Sequence, residues 1–201
     1  MKKQSRSARP RGRPSSAAID RALIAAALEE FTVRGYHAMS MESIAARAGV
    51  SKVSLYRRWS SKLAIVTEVL RFLSEVTPVK DHGSLAADIR ALLKEYIGSS
   101  TAKSAAKIFM RMMGEISGNP EFLALYRTHL LAPRLAQLRS LVERARARKE
   151  LRANLPTDVA CAMIAGSLFL YYLTLLAEAE VDMSSNLVEQ LTRAILSGIR
   201  K

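Results

Sequence analysis

The chain has few cysteines and histidines, the residues that often form disulfides, bind metals or act as catalytic nucleophiles and bases. It contains one cysteine and three histidines in 201 residues. The single Cys161 excludes an intrachain disulfide and is typical of a reducing cytoplasm, and its apolar sequence context predicts a buried structural thiol. His37, His82 and His129 are scattered, without the spacing of metal ligands. Walker A, G-x-G-x-x-G and G-x-S-x-G motifs are missing as well. We therefore predict a cytoplasmic protein with no catalytic residues, no metal site and no cofactor.

The sequence also predicts neither a secretory signal nor a membrane span. The basic N-terminus continues into arginines and prolines instead of an apolar segment. Residues 159–177 carry no charge and would form a helix of roughly 28 Å at about 1.5 Å per residue. Gly166, Ser167 and Thr174 keep its hydrophobicity moderate, which predicts a helix buried on most sides of a soluble protein. Membrane insertion of this helix is the alternative.

Acidic residues are outnumbered, because 31 Lys and Arg stand against 18 Asp and Glu and give a formal net charge of +13. This excess favours polyanionic partners such as DNA, RNA or an anionic membrane surface. Residues 1–14 are rich in cations and hold no acid, which predicts a disordered basic arm. Within it, Arg11 and Arg13 flank a glycine, a pattern that fits a narrow minor groove in A·T-rich DNA. A solubilising tail is the alternative for this arm.

After the arm, the sequence pattern is that of an all-α protein, because strand-like alternation is missing and apolar residues recur at helical spacing. Gly35 is expected to stop the first helix, and Ser40, Ser51 and Asn119 are expected to cap later ones. The helix that follows Asn119 is expected to kink near Pro133. The predicted helices span about 16–33, 41–48, 52–58, 61–76, 84–98, 102–117, 120–149, 157–177 and 185–199.

Residues 41–58 predict a helix-turn-helix, in which a tight turn at Gly49 joins two short helices. Leu55 is expected to face the core, and Trp59 is expected to pack beneath the second helix. An α-helix of this kind fits the major groove of B-DNA and presents its N-terminal residues to base edges. The side predicted to be exposed carries Lys52, Val53, Ser54, Arg57 and Arg58.

The side chains on and around this second helix suit different parts of a DNA duplex. Lys52 suits guanine O6 or N7 or a phosphate, Val53 suits a thymine methyl group, and Tyr56 can donate its hydroxyl to a phosphate. Lys62 lies in the first turn of the next helix, where a cation opposes the helix dipole, so its presence predicts a nearby phosphate. The predicted DNA-binding residues are Ser40, Arg47, Ser51, Lys52, Val53, Ser54, Tyr56, Arg57, Arg58 and Lys62, with Arg11 and Arg13 in the minor groove.

Residues 31–66, FTVRGYHAMSMESIAARAGVSKVSLYRRWSSKLAIV, resemble the DNA-binding domain of the TetR (AcrR-like) family of bacterial transcriptional regulators. The resemblance rests on F-x-x-x-G-Y, the Ser40 cap, I-A-x-x-A-G-V-S, L-Y-x-x-W and S-K. It is dense over about the first 75 residues and extends beyond them only as an all-helical pattern. Val53 stands where relatives often carry Gly, Ala or Pro, and the arginine-rich arm is not universal in the family. The predicted domains are the arm 1–14, the helix-turn-helix domain 15–76 and a larger helical ligand-binding and dimerisation domain 77–201.

The resemblance implies a homodimeric regulator, expected to be a repressor, that binds a palindromic double-stranded DNA operator and is released by a small-molecule effector of unknown identity. The predicted helix 52–58 that would read the DNA, the recognition helix, also favours a dimer. One such helix covers few base pairs, and a twofold axis sets two of them about 34–36 Å apart. The predicted interface residues, for which the domain's own core is in part the alternative, are Ala162, Gly166, Leu170, Val188, Leu191 and Ile195. The predicted pocket residues, for which plain core is the alternative, are Phe109, Met110, Met113, Tyr126, Leu130, Phe169 and Tyr172.

Three other functions stay open at this point. An architectural DNA-binding protein without effector control would show little sequence preference and a steep salt dependence. A helical enzyme would need an acid–base or nucleophile constellation, and the sequence contains no such constellation. A membrane-anchored DNA-binding protein would use residues 159–177 as its anchor.

Overall fold

The computed structural model of the chain describes residues 16–75, 80–97, 102–176 and 185–200. The predicted basic arm, with Arg11 and Arg13, lies outside these residues. Within them the all-α prediction is confirmed, since their extended pairing is a single bridge between Leu151 and Arg200. The α-helices of the described residues are α1 Ser16–Ala38, α2 Met41–Ala48, α3 Lys52–Tyr56, α4 Lys62–Glu75, α5 Leu85–Ile97, α6 Ala102–Gly118, α7 Pro120–Tyr126, α8 Ala132–Ala147, α9 Thr157–Leu176 and α10 Ser185–Ile199.

The predicted caps of the helix-turn-helix are confirmed. The Ser40 hydroxyl accepts the N–H of Ser43 at 3.1 Å, and the Ser43 hydroxyl accepts the N–H of Ser40 at 3.1 Å. Ser51 caps α3 by accepting the N–H of Ser54 at 3.2 Å. Gly49 ends α2 with a φ of 64°, in the left-handed region that favours glycine. These local contacts set where α2 stops and where α3 begins.

The ends of α1 and α3 differ from their predictions. A break at Gly35, with φ 81° and ψ 172°, interrupts α1 as expected, but a further helical turn continues to Ala38. Helix α3 ends at Tyr56 instead of Arg58. The chain tightens there, because the Arg58 N–H donates to the carbonyl of Leu55, three residues back, at 2.9 Å.

The predicted start and interruption of the helix after Asn119 are confirmed. The Asn119 side-chain oxygen accepts the N–H of Phe122 at 3.0 Å, and Pro120 occupies the first turn of α7. A π-helical turn, Arg127–Leu131, separates α7 from α8. Pro133 has no N–H, and its ring crowds the carbonyl four residues earlier, so the wider turn accommodates it at the start of α8.

Two apolar cores hold the helices together. One joins α5, α6, α8, α9 and α10 around Ile89, Leu141 and Ile164. The other joins α1 to α4 and also takes in Phe122 of α7, whose ring stacks on Phe31 with 5.4 Å between the ring centres. Side chains from the C-terminal half therefore support the helix-turn-helix directly. The predicted domain boundaries stay predictions.

Helix α9 is less buried than its sequence predicted. Within Thr157–Thr174, 28% of the residues are buried, and Leu170 is 61% exposed. By length and composition alone this helix could cross a membrane, and the core helix of a soluble protein passes the same test. The expectation of a helix buried on most sides is wrong for the single chain, which leaves one apolar face of α9 open to solvent.

Candidate DNA-binding surface and ligand cavity

The exposed side of α3 is opposite Leu55, which is fully buried and so fixes the rotation of the helix. Val53 is 78% exposed and Tyr56 is 44% exposed. Lys52 and Arg57 are exposed beside them, and the Lys52 ammonium lies 3.5 Å from a carboxylate of α2. An exposed ion pair of this kind contributes little stability, so it leaves the lysine available to other anions. The result is an apolar and cationic surface along the exposed side of α3.

Arg58 is not on this exposed side, and its predicted exposure is wrong. Its side chain is 13% exposed and forms an ion pair with Asp20 of α1. It also donates to the Ser54 carbonyl at 2.9 Å, to the Ser54 hydroxyl at 2.8 Å and to Ser16 at 3.3 Å. The tight turn that ends α3 rotates Arg58 towards α1. In this structure Arg58 positions the recognition helix against α1.

Lys62 has a different explanation from the predicted phosphate. Its Nζ donates to the carbonyls of Tyr36 at 2.8 Å, His37 at 3.3 Å and Met39 at 3.4 Å, and it lies 4.6 Å from the centre of the Tyr36 ring. Carbonyls at a helix C-terminus carry partial negative charge and attract a cation. The end of α1 therefore accounts for this first-turn lysine without a phosphate, and its contact with DNA stays a prediction.

Arg47 joins α2 to α1 through two carboxylates. Its Nε donates to Glu30 at 2.7 Å and its Nη1 donates to Glu29 at 2.6 Å. Glu30 is buried, and the hydrogen bond from Ser43, assisted by Arg47, keeps the pKa of this carboxylate below its usual value despite desolvation. The same pairing with Glu30 raises the pKa of Arg47. Arg47 therefore holds α2 in place for the recognition helix.

A cavity of about 470 Å³ lies between α4, α5, α6, α7, α8, α9 and the π-helical turn. Its walls are mostly aliphatic and aromatic. Of the predicted pocket residues, those that line it are Phe109, Tyr126, Leu130, Phe169 and Tyr172. Ligand binding by these residues stays a prediction.

Met110 and Met113 do not line the cavity, and their placement there is wrong. Met110 lies at a smaller polar cleft with Arg111 and Glu115, and Met113 packs against the core of α1 to α4. The cavity face of α6 instead carries Met112. Each residue turns a helix by about 100°, so a methionine-rich run does not show which methionine faces inward.

Arg134 of α8 is a cavity residue that the sequence did not reveal. Its Nη2 donates to the carbonyl of Leu73 at 2.5 Å, and its guanidinium lies 5.8 Å from the centre of the Tyr96 ring. The rings of Tyr96 and Tyr172 are 6.4 Å apart, and those of Phe109 and Tyr172 are 5.7 Å apart. The sequence signal that could have indicated Arg134 is an arginine next to the apolar leucines of α8.

The other face of α6 contacts the end of α1. The Glu115 carboxylate accepts the N–H of Tyr36 at 3.0 Å, and Arg111 Nη2 donates to the carbonyl of Val33 at 2.8 Å. These bonds lie on either side of the break at Gly35. One helix therefore lines the cavity and also holds the helix-turn-helix domain.

The predicted interface residues divide between two environments. Ala162, Gly166 and Leu170 are exposed along one side of α9. Val188 and Ile195 are buried in the core of their own chain, where α10 packs against α5, so their assignment to the interface is wrong. Leu191, the remaining predicted residue, is half-buried. An amphipathic helix shows an apolar face, but it does not show whether that face meets its own chain or another.

Among the residues that the structure describes, no group of three or more His, Cys, Asp or Glu could hold a metal ion. The helix-turn-helix and its exposed recognition helix define the class of the protein, a helix-turn-helix DNA-binding protein.

Residues 23–69 match the family described as bacterial regulatory proteins, tetR family, and residues 79–194 match the tetracyclin repressor-like C-terminal domain. The chain belongs to the TetR family of transcriptional regulators. It is 32% identical over 177 residues to the HTH-type transcriptional regulator YdeS of Bacillus subtilis, with 87% of each chain covered. It is 32% identical over 152 residues to the DNA-binding transcriptional repressor TetR of Mycobacteroides abscessus, with 71% of this chain and 78% of that one covered.

Solved structures of low sequence identity share the fold. FadR of Bacillus subtilis, solved with stearoyl-CoA, matches with a TM-score of 0.69 at 18% identity over 90% of this chain and 99% of that one. GusR of Salmonella enterica matches with a TM-score of 0.66 at 16% identity over 90% and 92% of the two chains. TetR-family proteins are DNA-binding transcriptional regulators.

Proposed function

We propose that this chain is a repressor that binds a palindromic operator as a homodimer and leaves it when a small-molecule effector binds. The observation that carries the proposal is the orientation of α3, which Ser51 caps and Leu55 anchors while Lys52, Val53 and Tyr56 face solvent. A helix held in this way can enter the major groove with its N-terminal residues leading. We expect the protein to act in the cytoplasm.

The predicted DNA-binding residues take two roles in this proposal. The residues that contact DNA are Ser40, Ser51, Lys52, Val53, Ser54, Tyr56 and Arg57. Ser40, Ser51 and Ser54 each accept a hydrogen bond within the chain, and a hydroxyl that accepts can still donate to a phosphate. Arg47, Arg58 and Lys62 act on DNA through the position that they give to α2, α3 and α4.

The open face of α9 supports a homodimer. Val159, Met163 and Leu170 are exposed on it with Ala162 and Gly166, at the three- and four-residue spacing of one helix face. A second copy that covered this face would bury apolar surface that one chain leaves in water. The same twofold axis would set two recognition helices on one side of the dimer, as a palindrome requires.

Helix α6 supports a response to an effector, because it contacts both the cavity and the DNA-binding half. Phe109 and Met112 line the cavity, and Arg111 and Glu115 hold the end of α1. A ligand that binds better to a dimer with a shifted α6 would increase the population of that form. The recognition helices would then lose the spacing of the operator.

Selection of bound sequences from a random DNA pool, with the full chain, tests the first part of this proposal. We expect a palindromic consensus whose half-sites lie about one helical turn apart. Equal binding to every duplex, with a steep salt dependence, would support the architectural alternative instead. Operator affinity measured with and without candidate effectors then tests release.

A further inference from the structure

The cavity contains both an extensive apolar wall and a guanidinium. We propose that its ligand is an amphiphilic carboxylate, a compound with an apolar chain or ring system and an acid group that Arg134 binds. This inference rests on the proposed function, because it names the chemical class of the effector.

The apolar wall fits the hydrophobic part of such a ligand. Ile108, Met112, Leu130, Leu138 and Leu168 come from four different segments and surround the same space. A volume of about 470 Å³ lies within the range of small-molecule sites, roughly 300–1,000 Å³. Transfer of an alkyl chain or a ring system from water into this space is favourable.

Arg134, Tyr96 and Tyr172 form one polar cluster in the wall of the cavity. The guanidinium lies over the Tyr96 ring, at 5.8 Å from the ring centre, and the Tyr96 and Tyr172 rings are 6.4 Å apart. The hydrogen bond of Arg134 to the Leu73 carbonyl, at 2.5 Å, holds the side chain against α4. The ligand therefore meets the guanidinium and these two tyrosines at one place.

Carboxylate is the head group that this cluster suits. The planar guanidinium matches a carboxylate in geometry and in charge. Burial raises the pKa of the Tyr172 hydroxyl, and nearby Arg134 partly offsets this increase, so the phenol stays protonated and can donate to an acceptor. Glu95 also borders the cavity, but it is exposed, so water screens its charge more than that of half-buried Arg134.

A matched set of ten-carbon compounds tests this assignment on the full-length protein. Decanoate, 1-decanol and decylamine share one chain length and differ in the charge of the head group. Isothermal titration calorimetry at neutral pH should show that decanoate binds at least about tenfold more tightly than either of the other compounds. Equal or tighter binding of decanol, tighter binding of decylamine, or no binding by any of them would overturn the proposal.

Two substitutions on α8 assign the preference to one residue. Arg134→Gln should reduce the advantage of decanoate over decanol to about twofold and leave the affinity for decanol unchanged. Arg139→Gln is the matched control, because Arg139 is exposed and pairs with Asp158 at 2.9 Å; it should keep the full preference. If Arg134→Gln does not fold, the head-group series on the unsubstituted protein still decides the ligand class.

Operator binding separates this inference from the proposed function. If decanoate binds with the expected preference but leaves operator affinity unchanged, the ligand class stands and the effector role fails. If another compound releases the operator while decanoate does not bind, the proposed function stands and the carboxylate assignment fails. Calorimetry requires no DNA, so it tests the cavity independently of the operator.

Discussion

The carboxylate of Glu115 accepts the backbone N–H of Tyr36 at 3.0 Å, directly after the break in α1. A Cβ on Gly35 would lie 2.4 Å from the same carboxylate oxygen, so the bond requires a residue without a side chain at the break. Because Glu115 belongs to the helix that lines the cavity, this bond connects the two halves of the molecule.

Gly35→Ala should destabilise the fold more than Gly83→Ala. The two glycines have nearly equal φ values, 81° and 83°, but a Cβ at Gly83 meets nothing within 4 Å. Gly83→Ala should therefore cost only the left-handed backbone penalty, about 1–2 kcal/mol, and Gly35→Ala should cost more. Urea denaturation measures both free energies of unfolding. Equal costs would show that Glu115 moves aside freely.

Arg57→Gln and Arg58→Gln should affect different properties, operator binding in the first case and stability in the second. Loss of the Arg58 bonds to Asp20 and Ser54 should lower the free energy of unfolding by about 1–3 kcal/mol. Arg57 is exposed, so its loss should leave stability nearly unchanged, weaken operator binding and lower the salt slope by about one. Thermal denaturation and operator titration at several salt concentrations distinguish the two. The reverse result would mean that the faces of α3 are misassigned.

Tyr56→Phe removes only a hydroxyl from an exposed ring and should weaken operator binding without a change in the thermal midpoint. Leu55→Ala, one residue earlier, should instead cost about 2–5 kcal/mol of stability, because Leu55 is fully buried. Trp59→Ala should cost less than the roughly 3–5 kcal/mol of a fully buried tryptophan, since Trp59 is half-buried. An unchanged operator affinity in Tyr56→Phe would remove Tyr56 from the DNA surface.

Leu170→Glu should convert the proposed homodimer to a monomer, because it places a charge on the open apolar face of α9. Leu123→Glu is the control, since Leu123 is also exposed, at 42% against 61% for Leu170, but belongs to a different helix, α7. Light scattering after size-exclusion chromatography measures the molar mass of each. A dimeric Leu170→Glu variant would place the interface elsewhere.

The carboxylate of Glu30 should make the fold sensitive to acid. Its pKa is lower in the folded chain than the ordinary value of 4.5, so its stabilising contribution is complete above that value and is lost as the pH falls through the lowered pKa. The stability difference between the unsubstituted protein and Glu30→Gln should thus be largest near pH 7 and shrink below about pH 4.5. Glu68→Gln, which removes an exposed partner of Arg71, should show almost no such difference.

Local signals in the sequence were sufficient for much of the DNA-binding half. Ser40, Gly49 and Ser51 act on backbone groups within a few residues of themselves, so their roles follow from chain position, and Asn119 does the same in the C-terminal half. The all-helical pattern likewise follows from apolar spacing, and the resemblance of residues 31–66 led to the family.

Contacts between distant segments were not predictable in the same way. Arg58 pairs with Asp20, and Lys62 with carbonyls at the end of α1, so both cations are used inside the fold although their spacing suits DNA. Val188 is buried in the core where α10 packs against α5. Long side chains reach partners that only the packed structure brings near, and one residue along a helix changes the direction by about 100°.

The stacked pair of Phe31 and Phe122 has a consequence for how such regulators can be recombined. A chimera that joined the first four helices of this chain to the second half of a relative would leave Phe31 facing a foreign side chain. To keep the DNA-binding half stably packed, the chimera would have to include α7 of this chain or an aromatic residue at the position of Phe122. An exchange between relatives would therefore have to treat α1 to α4 and α7 as one packed unit.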